Sequence, residues 1–198
     1  KDIDYVKYQV DVLGEWGAFG NIILSNWEVK DLPMDLNYYD YVTYGLDFGY
    51  NHPSAHILTG IKDGDVYIID ELYECKLTNQ ELIAKAKQFI TDINIPIVAD
   101  SAEPDRIREF QYAGFHSIRP SEKGKGSVKS GIDYLRGRKI FINTKCINTI
   151  KEIQNWQYRV DKDGNVTEEP VPFMDDAIAA IRYATERFWD SKRQILVY

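Results

Sequence analysis

Two acidic residues stand where a carboxylate is costly unless something uses it. Asp47 follows Tyr44-Gly45-Leu46 and Asp100 follows Ile97-Val98-Ala99, so each closes a short, mostly apolar run. Brought side by side, two such carboxylates repel, and one is driven toward protonation unless a cation sits between them. Hard oxygen donors of this kind suit Mg²⁺ or Mn²⁺. Two such ions about 4 Å apart activate a water and stabilise the leaving oxygen of a phosphodiester. Asp175 and Asp176 open the last helical stretch and offer a third ligand. Taken singly, each acid is equally a structural cap. Asp47 and Asp100 can accept hydrogen bonds from the turn that follows, and Asp175 or Asp176 can complement a helix N-terminus. Asp70 and Glu71 are weaker candidates, because strand alternation sends neighbours to opposite faces.

Basic residues cluster away from these acids in sequence. The net charge is −7, yet Ser101–Lys151 holds eleven Lys/Arg against five Asp/Glu, a local balance of +6 that leaves −13 elsewhere. Such a division can bind phosphate on one face and cations on another, although a solvated lysine-rich surface has the same composition. The loop SEKGKGS (Ser121–Ser127) and the helix after it carry Lys123, Lys125, Lys129, Arg136, Arg138 and Lys139. These are read as contacts to a DNA backbone, adding salt dependence without sequence preference. Other chemistries fit the spacing less well. His52, His56 and His116 lack zinc-site spacing, and neither Gly-x-Ser-x-Gly nor a nucleotide-binding Gly-x-x-x-x-Gly-Lys-Ser/Thr occurs.

The elements that must position these residues follow from periodicity. Tyr41–Phe48 and Ser54–Lys62 read as strands, and Asp63-Gly64 turns the chain into a third, Asp65–Tyr73. Thr78 and Glu81 form a capping box ahead of Leu82, Ile83, Ala86, Phe89 and Ile90. Ile97–Ala99 is wholly apolar, as a central parallel strand must be. A helix over Pro104–Tyr112, a strand at Phe115–Arg119, a helix through Ile132 and Leu135 and a strand at Lys139–Asn143 come next. Ile147–Trp156 is helical with Ile150 and Ile153 inward, and Asp163-Gly164 turns a second hairpin between Gln157–Val160 and Asn165–Thr167. The last element is an amphipathic helix, Asp175–Phe188. This order is α/β and ribonuclease H-like: a mixed five-stranded sheet with helices on both faces and an added C-terminal hairpin. Its first and fourth strands are neighbours, so Asp47 and Asp100 meet at their carboxyl ends, where such sheets bind ligands.

With 198 residues, 44% hydrophobic and 28% charged, the chain has the make-up of a soluble globular protein. No window reaches the roughly 18 apolar residues of a membrane span, and no signal peptide is evident. Cys75 and Cys146 lack metal-ligand spacing and are expected to be packing residues in a reducing compartment. Residues 1–36, aromatic and irregular, read as an arm or linker, and 37–198 as the domain proper. A start at Lys1 inside apparently structured sequence suggests a piece of a longer protein.

LGEWG (Leu13–Gly17), YGLDFGYNHPSA (Tyr44–Ala55), IVADSAEPDRI (Ile97–Ile107), KGKGSVKSGIDYL (Lys123–Leu135) and EPVPFMDDAIAAIRYA (Glu169–Ala184) together resemble the C-terminal nuclease domain of the large terminase subunits of tailed bacteriophages. The resemblance covers nearly the whole chain, in the family's order. It implies a two-metal endodeoxyribonuclease that cuts concatemeric viral DNA during packaging in the host bacterial cytoplasm. It also implies an N-terminal ATPase motor on the same chain, a portal protein and a small terminase subunit as partners, and no membrane. Asp47 and Asp100 match the first- and fourth-strand metal ligands, and Asp176 matches the first acidic position of the last helix. The second position there, where the family carries its third catalytic Asp, is Ala179 in this chain. Residues three apart share a helix face, so either Ala179 is an inactivating substitution or Asp175 and Asp176 supply the ligand. The family's expected Asp-Ala-Ile-Arg-Tyr favours the first. A non-catalytic DNA-clamping or portal-docking module, and a junction resolvase or transposase on the same fold, remain the alternatives.

Overall fold

Turn chemistry builds the centre of the sheet. The computed structural model describes residues 21–189, so the Leu13–Gly17 motif lies outside the described residues. Strand β2 (Tyr41–Asp47) runs antiparallel to β3 (Ser54–Lys62), which runs antiparallel to β4 (Asp65–Glu74). At the β3–β4 turn, Asp63 and Gly64 both take positive φ, 52° and 83°, the pair that a twisted two-residue hairpin requires. Between β2 and β3 the chain reverses at Gly49, whose N–H donates to the Ser54 hydroxyl and whose carbonyl accepts from it. A Cβ at Gly49 would stand 2.3 Å from the Pro53 carbonyl oxygen, so only glycine fits.

Beyond β2 the sheet continues in parallel through β5 (Ile97–Ala99) and β6 (Ile118–Pro120). Helix α1 (Asn79–Phe89) begins at the expected capping box, Thr78 Oγ1 accepting from the Glu81 N–H while the Glu81 carboxylate accepts from the Thr78 N–H. Helix α2 (Pro104–Tyr112) ends just before Gly114, at φ +105°. The strand expected at Phe115–Arg119 forms three residues later, because Phe115 is drawn into the core beside Phe110.

With β1 (Trp27–Lys30) and β7 (Ile140–Asn143), the sheet has seven strands among the described residues, in the order β1-β7-β4-β3-β2-β5-β6, where five were expected. The outer edge of β4 would otherwise leave its peptide groups unpaired. Strand β7 pairs with it in parallel, and β1, from the segment read as an arm, pairs in turn with β7. Ile23 and Leu24 of that segment are buried in the core.

Alternation divides the core between the two faces. Tyr44, Leu46, Ile97 and Ala99 pack with Leu82, Ile107 and Phe110 under α1 and α2. Ile57, Ile68 and Ile142 pack on the other face beneath α3 (Ser127–Arg136), α4 (Ile147–Asn155) and α5 (Asp176–Thr185). Each fully buried aliphatic side chain contributes roughly 1.5–3 kcal/mol. The last helix is not amphipathic: every residue from Ala177 to Thr185 is buried, and a 3₁₀ turn, Glu186–Phe188, completes it. Strands β8 (Tyr158–Val160) and β9 (Val166–Pro170) form the separate hairpin. Cys146 is buried as expected, whereas Cys75 is exposed. Among the described residues no helix is long and apolar enough to cross a membrane.

Candidate active site

Register brings the first two acids together. Tyr44, Gly45 and Leu46 of β2 pair with Ile97, Val98 and Ala99 of β5, and the Asp100 N–H donates to the Leu46 carbonyl at 2.9 Å. Because Tyr44 and Leu46 face α1 and α2, Gly45 and Asp47 face α5, and by the same alternation so do Val98 and Asp100. The acids therefore emerge at adjacent strand ends on the face covered by the last helix.

That helix lies against the sheet at unusually short range. A Cβ on Gly45 would stand 1.8 Å from the Ala180 carbonyl oxygen, so glycine in β2 and alanine in α5 set the approach together. Asp175 and Asp176 come to the site at the helix start. Asp175 makes no side-chain cap hydrogen bond, so the plain N-cap reading is not realised. Burial first, with Asp175 next to it, pushes the Asp176 carboxyl above its ordinary range; burial likewise raises Asp175, opposed by Arg182.

Asp47 is the most perturbed of these acids. Burial, then the charges of Asp100 and Asp176, push it up to about 7, against the opposing pull of Lys123 and Arg182. Tyr183, two turns into α5, lies beside Asp47, and burial with the two strand-end carboxylates raises its phenol. Asp100 is engaged twice within the protein. Its Oδ1 accepts from the Ala102 N–H at 2.8 Å, as a turn cap does, and it also pairs with the Lys123 ammonium.

Ala179 sits in a small buried cluster with Val98 and Tyr183. Position 179 thus lies over the β2–β5 seam just short of its acidic end. Among the described residues no three His, Cys, Asp or Glu side chains group closely enough to hold an ion. The donor set nevertheless suits a hard divalent cation in kind: carboxylates only, one of them raised by burial and then by its neighbours' charge.

The basic residues separate. Lys123 is at the acids because the Ser121 N–H donates to the Ala99 carbonyl at 2.7 Å, laying the Gly/Lys loop across the end of β5. Lys125 is exposed on that loop, and Lys129 pairs with Glu168 of the hairpin at 2.7 Å. Arg136, Arg138 and Lys139 stand at the start of β7, the opposite end of the sheet from Asp47, about 15 Å along α3. Arg138 covers the Tyr134 ring there, and the Lys139 N–H donates to Asp65. Asp70 and Glu71 serve elsewhere. Asp70 pairs with Lys145, while Glu71 accepts four hydrogen bonds from Asn148 and Thr149 and so caps α4.

Three contributors were not legible as such. Arg182 and Tyr183 look like helix filler until α5 is laid on the seam. Glu152 is fully buried on α4, accepts from Tyr73 Oη at 2.7 Å and the Ile178 N–H at 3.1 Å, and is pushed up to about 7 by burial. It ties α4 to the first turn of α5. An acid between Thr149 and Ile153 on the inward face of α4 was the available signal.

Residues 47–187 match the family described as the terminase RNAseH-like domain. The chain is 27% identical over 199 residues to the PBSX phage terminase large subunit of Bacillus subtilis (strain 168), covering 95% of this chain and 45% of that protein. It is 28% identical over 198 residues to the terminase large subunit of Bacillus phage SPP1, covering 92% and 45%. The chain therefore spans about half the length of the curated relatives it matches. Among solved structures, the g2p (large terminase) nuclease domain of bacteriophage SPP1 with bound Mn superposes with a TM-score of 0.76 at 27% identity, over 83% of this chain and 98% of that one. The P22 large terminase nuclease domain gives 0.59 at 25% identity, over 79% and 87%. With Asp47, Asp100 and the whole of the last helix inside the matched span, the chain belongs to the terminase RNase H-like domain family.

Proposed function

We propose that this chain is the nuclease part of a phage packaging terminase, a divalent-metal-dependent endonuclease acting on concatemeric double-stranded viral DNA with little sequence preference. The observation that carries the reading is the meeting of Asp47 and Asp100 at neighbouring strand ends, with Asp47 pushed up to about 7 by burial and then by the charges of Asp100 and Asp176. The Mn-bound SPP1 relative and a cobalt-bound nuclease from phage G20c, the latter similar in fold, support a divalent metal. Bound there, Mg²⁺ or Mn²⁺ ions, two in this reading, would supply water activation and stabilisation of the leaving oxygen. Asp47 and Asp100 hold the metal, with Asp176 or Asp175 at the mouth of α5. Tyr183 orients the Asp47 carboxylate through its hydroxyl, and Lys123 is freed from Asp100 to meet backbone phosphate. No covalent protein intermediate is needed. On this reading the whole protein joins the nuclease to an ATPase motor N-terminal to it and works with a portal and a small subunit in the host cytoplasm.

Ala179 favours a second reading, a non-catalytic DNA-clamping or portal-docking module whose site lacks its third acid. Plasmid cleavage with Mn²⁺ separates the two. Turnover that vanishes in EDTA and in Asp47→Ala supports the nuclease; salt-sensitive DNA binding without turnover under any divalent ion supports the clamp.

A further inference from the structure

Beside the acids lies a cleft of about 210 Å³ whose walls come from the Gly/Lys loop, the start of α3 and the end of α5. Its polar lining includes the carboxylates Glu122 and Glu186 and two buried donors with unpartnered atoms. Arg182 is 8% exposed and its Nε has no hydrogen-bond partner; Ser121 is 5% exposed and its Oγ has none. Leaving such groups unpaired is destabilising, and a ligand that bonds them relieves the cost. Helix α3 starts at the same cleft with Ser127 and Val128, and its N-cap is Gly126 at φ +87°, which offers no side chain to the first-turn N–H groups. An uncapped helix N-terminus with an arginine and a serine beside it is a site for an anion. Glu186 also lines the cleft, but both its oxygens are committed, one to Arg119 and the other to the Glu122 N–H at 2.8 Å. Val128 and Trp189 supply an apolar wall that a bare ion does not need and a nucleotide does.

We infer that this cleft holds one backbone phosphate of the substrate strand, next to the phosphate that is cut. Arg182 joins the two positions, since its charge also acts on Asp47 and Asp175. The identity of the strand rests on the nuclease reading; the anion chemistry does not. Arg182, Ser121 and the α3 N-terminus, more than the exposed lysines, then set the register of the DNA against the acids.

The test is duplex binding by the 198-residue chain in EDTA across a salt series, with inorganic phosphate as a second probe. Arg182→Gln should weaken binding about tenfold and reduce the salt slope by about one. Ser121→Ala should weaken it about threefold without lowering the melting temperature, because it removes only an unpaired buried hydroxyl. Should Arg182→Gln fail to fold, Ser121→Ala decides alone. Wild-type affinity and slope in the folded variants overturn the proposal. Phosphate that raises the melting temperature, with duplex binding indifferent to the variants, also overturns it and assigns the cleft to free phosphate. Failure of the nuclease reading looks different: no metal-dependent cleavage, with the Arg182→Gln loss of slope intact.

Discussion

Gly45 and Ala180 meet backbone to side-chain vacancy, an added Cβ on the glycine falling 1.8 Å from the alanine carbonyl oxygen. This contact places Asp175, Asp176, Ala179 and Tyr183 over the β2–β5 seam. Gly45→Ala cannot be absorbed by a side-chain rotation, because the obstacle is backbone. A loss of about 3 kcal/mol is expected in urea denaturation. Gly124→Ala, with nothing within 4 Å of its added Cβ, should be nearly neutral. Equal midpoints for the two would mean that α5 is not seated as described.

Ala179→Asp adds an acid over the β2–β5 seam. Mn²⁺-dependent plasmid cleavage should rise by more than about tenfold. In EDTA the same substitution should lower stability, since a third carboxylate is added beside Asp47 and Asp100, and Mn²⁺ should recover the loss. Equal activity in both proteins would favour Asp175 and Asp176 as sufficient ligands.

Lys123 competes with any cation for Asp100. Removing the ammonium in Lys123→Met should tighten Mn²⁺ binding, measured calorimetrically, by about threefold; the effect is modest because the pair is partly solvated. The same variant should bind duplex DNA more weakly. Weaker Mn²⁺ binding would show that the lysine supports the metal site instead of opposing it.

Glu152 gives stability an unusual pH dependence. Its carboxyl is raised from 4.5 to about 7 in the fold, so the folded chain holds the proton more tightly than the unfolded one. Stability from this group is full below pH 4.5 and is lost as pH rises through about 7, on the order of 3 kcal/mol. Asp47 adds a slope of the same sign. Glu152→Gln keeps an acceptor for Tyr73 and should flatten the fall between pH 5 and pH 8. An unchanged slope would place the titration elsewhere.

Local signals carried much of the molecule. The Asp63-Gly64 turn, the Thr78/Glu81 capping box, the apolar run before Asp100 and the strand before Asp47 each depend on residues a few positions apart, and each formed within a residue or two of its reading. From these the α/β order and the pairing of Asp47 with Asp100 could be reasoned, because parallel neighbours share an end. Partners distant in sequence could not be read the same way. Strand β1 joins the sheet only because β7 offers it an edge, and Glu71 became a cap because α4 begins beside it. Arg182, Ser121 and the α3 N-terminus share a cleft only after the loop crosses Ala99 and α5 comes down on Gly45. The sequence by itself determined which residues could be acids at strand ends. Tertiary packing decided their burial, their charge and the company they keep, because desolvation and Coulomb terms depend on distance in space and not along the chain.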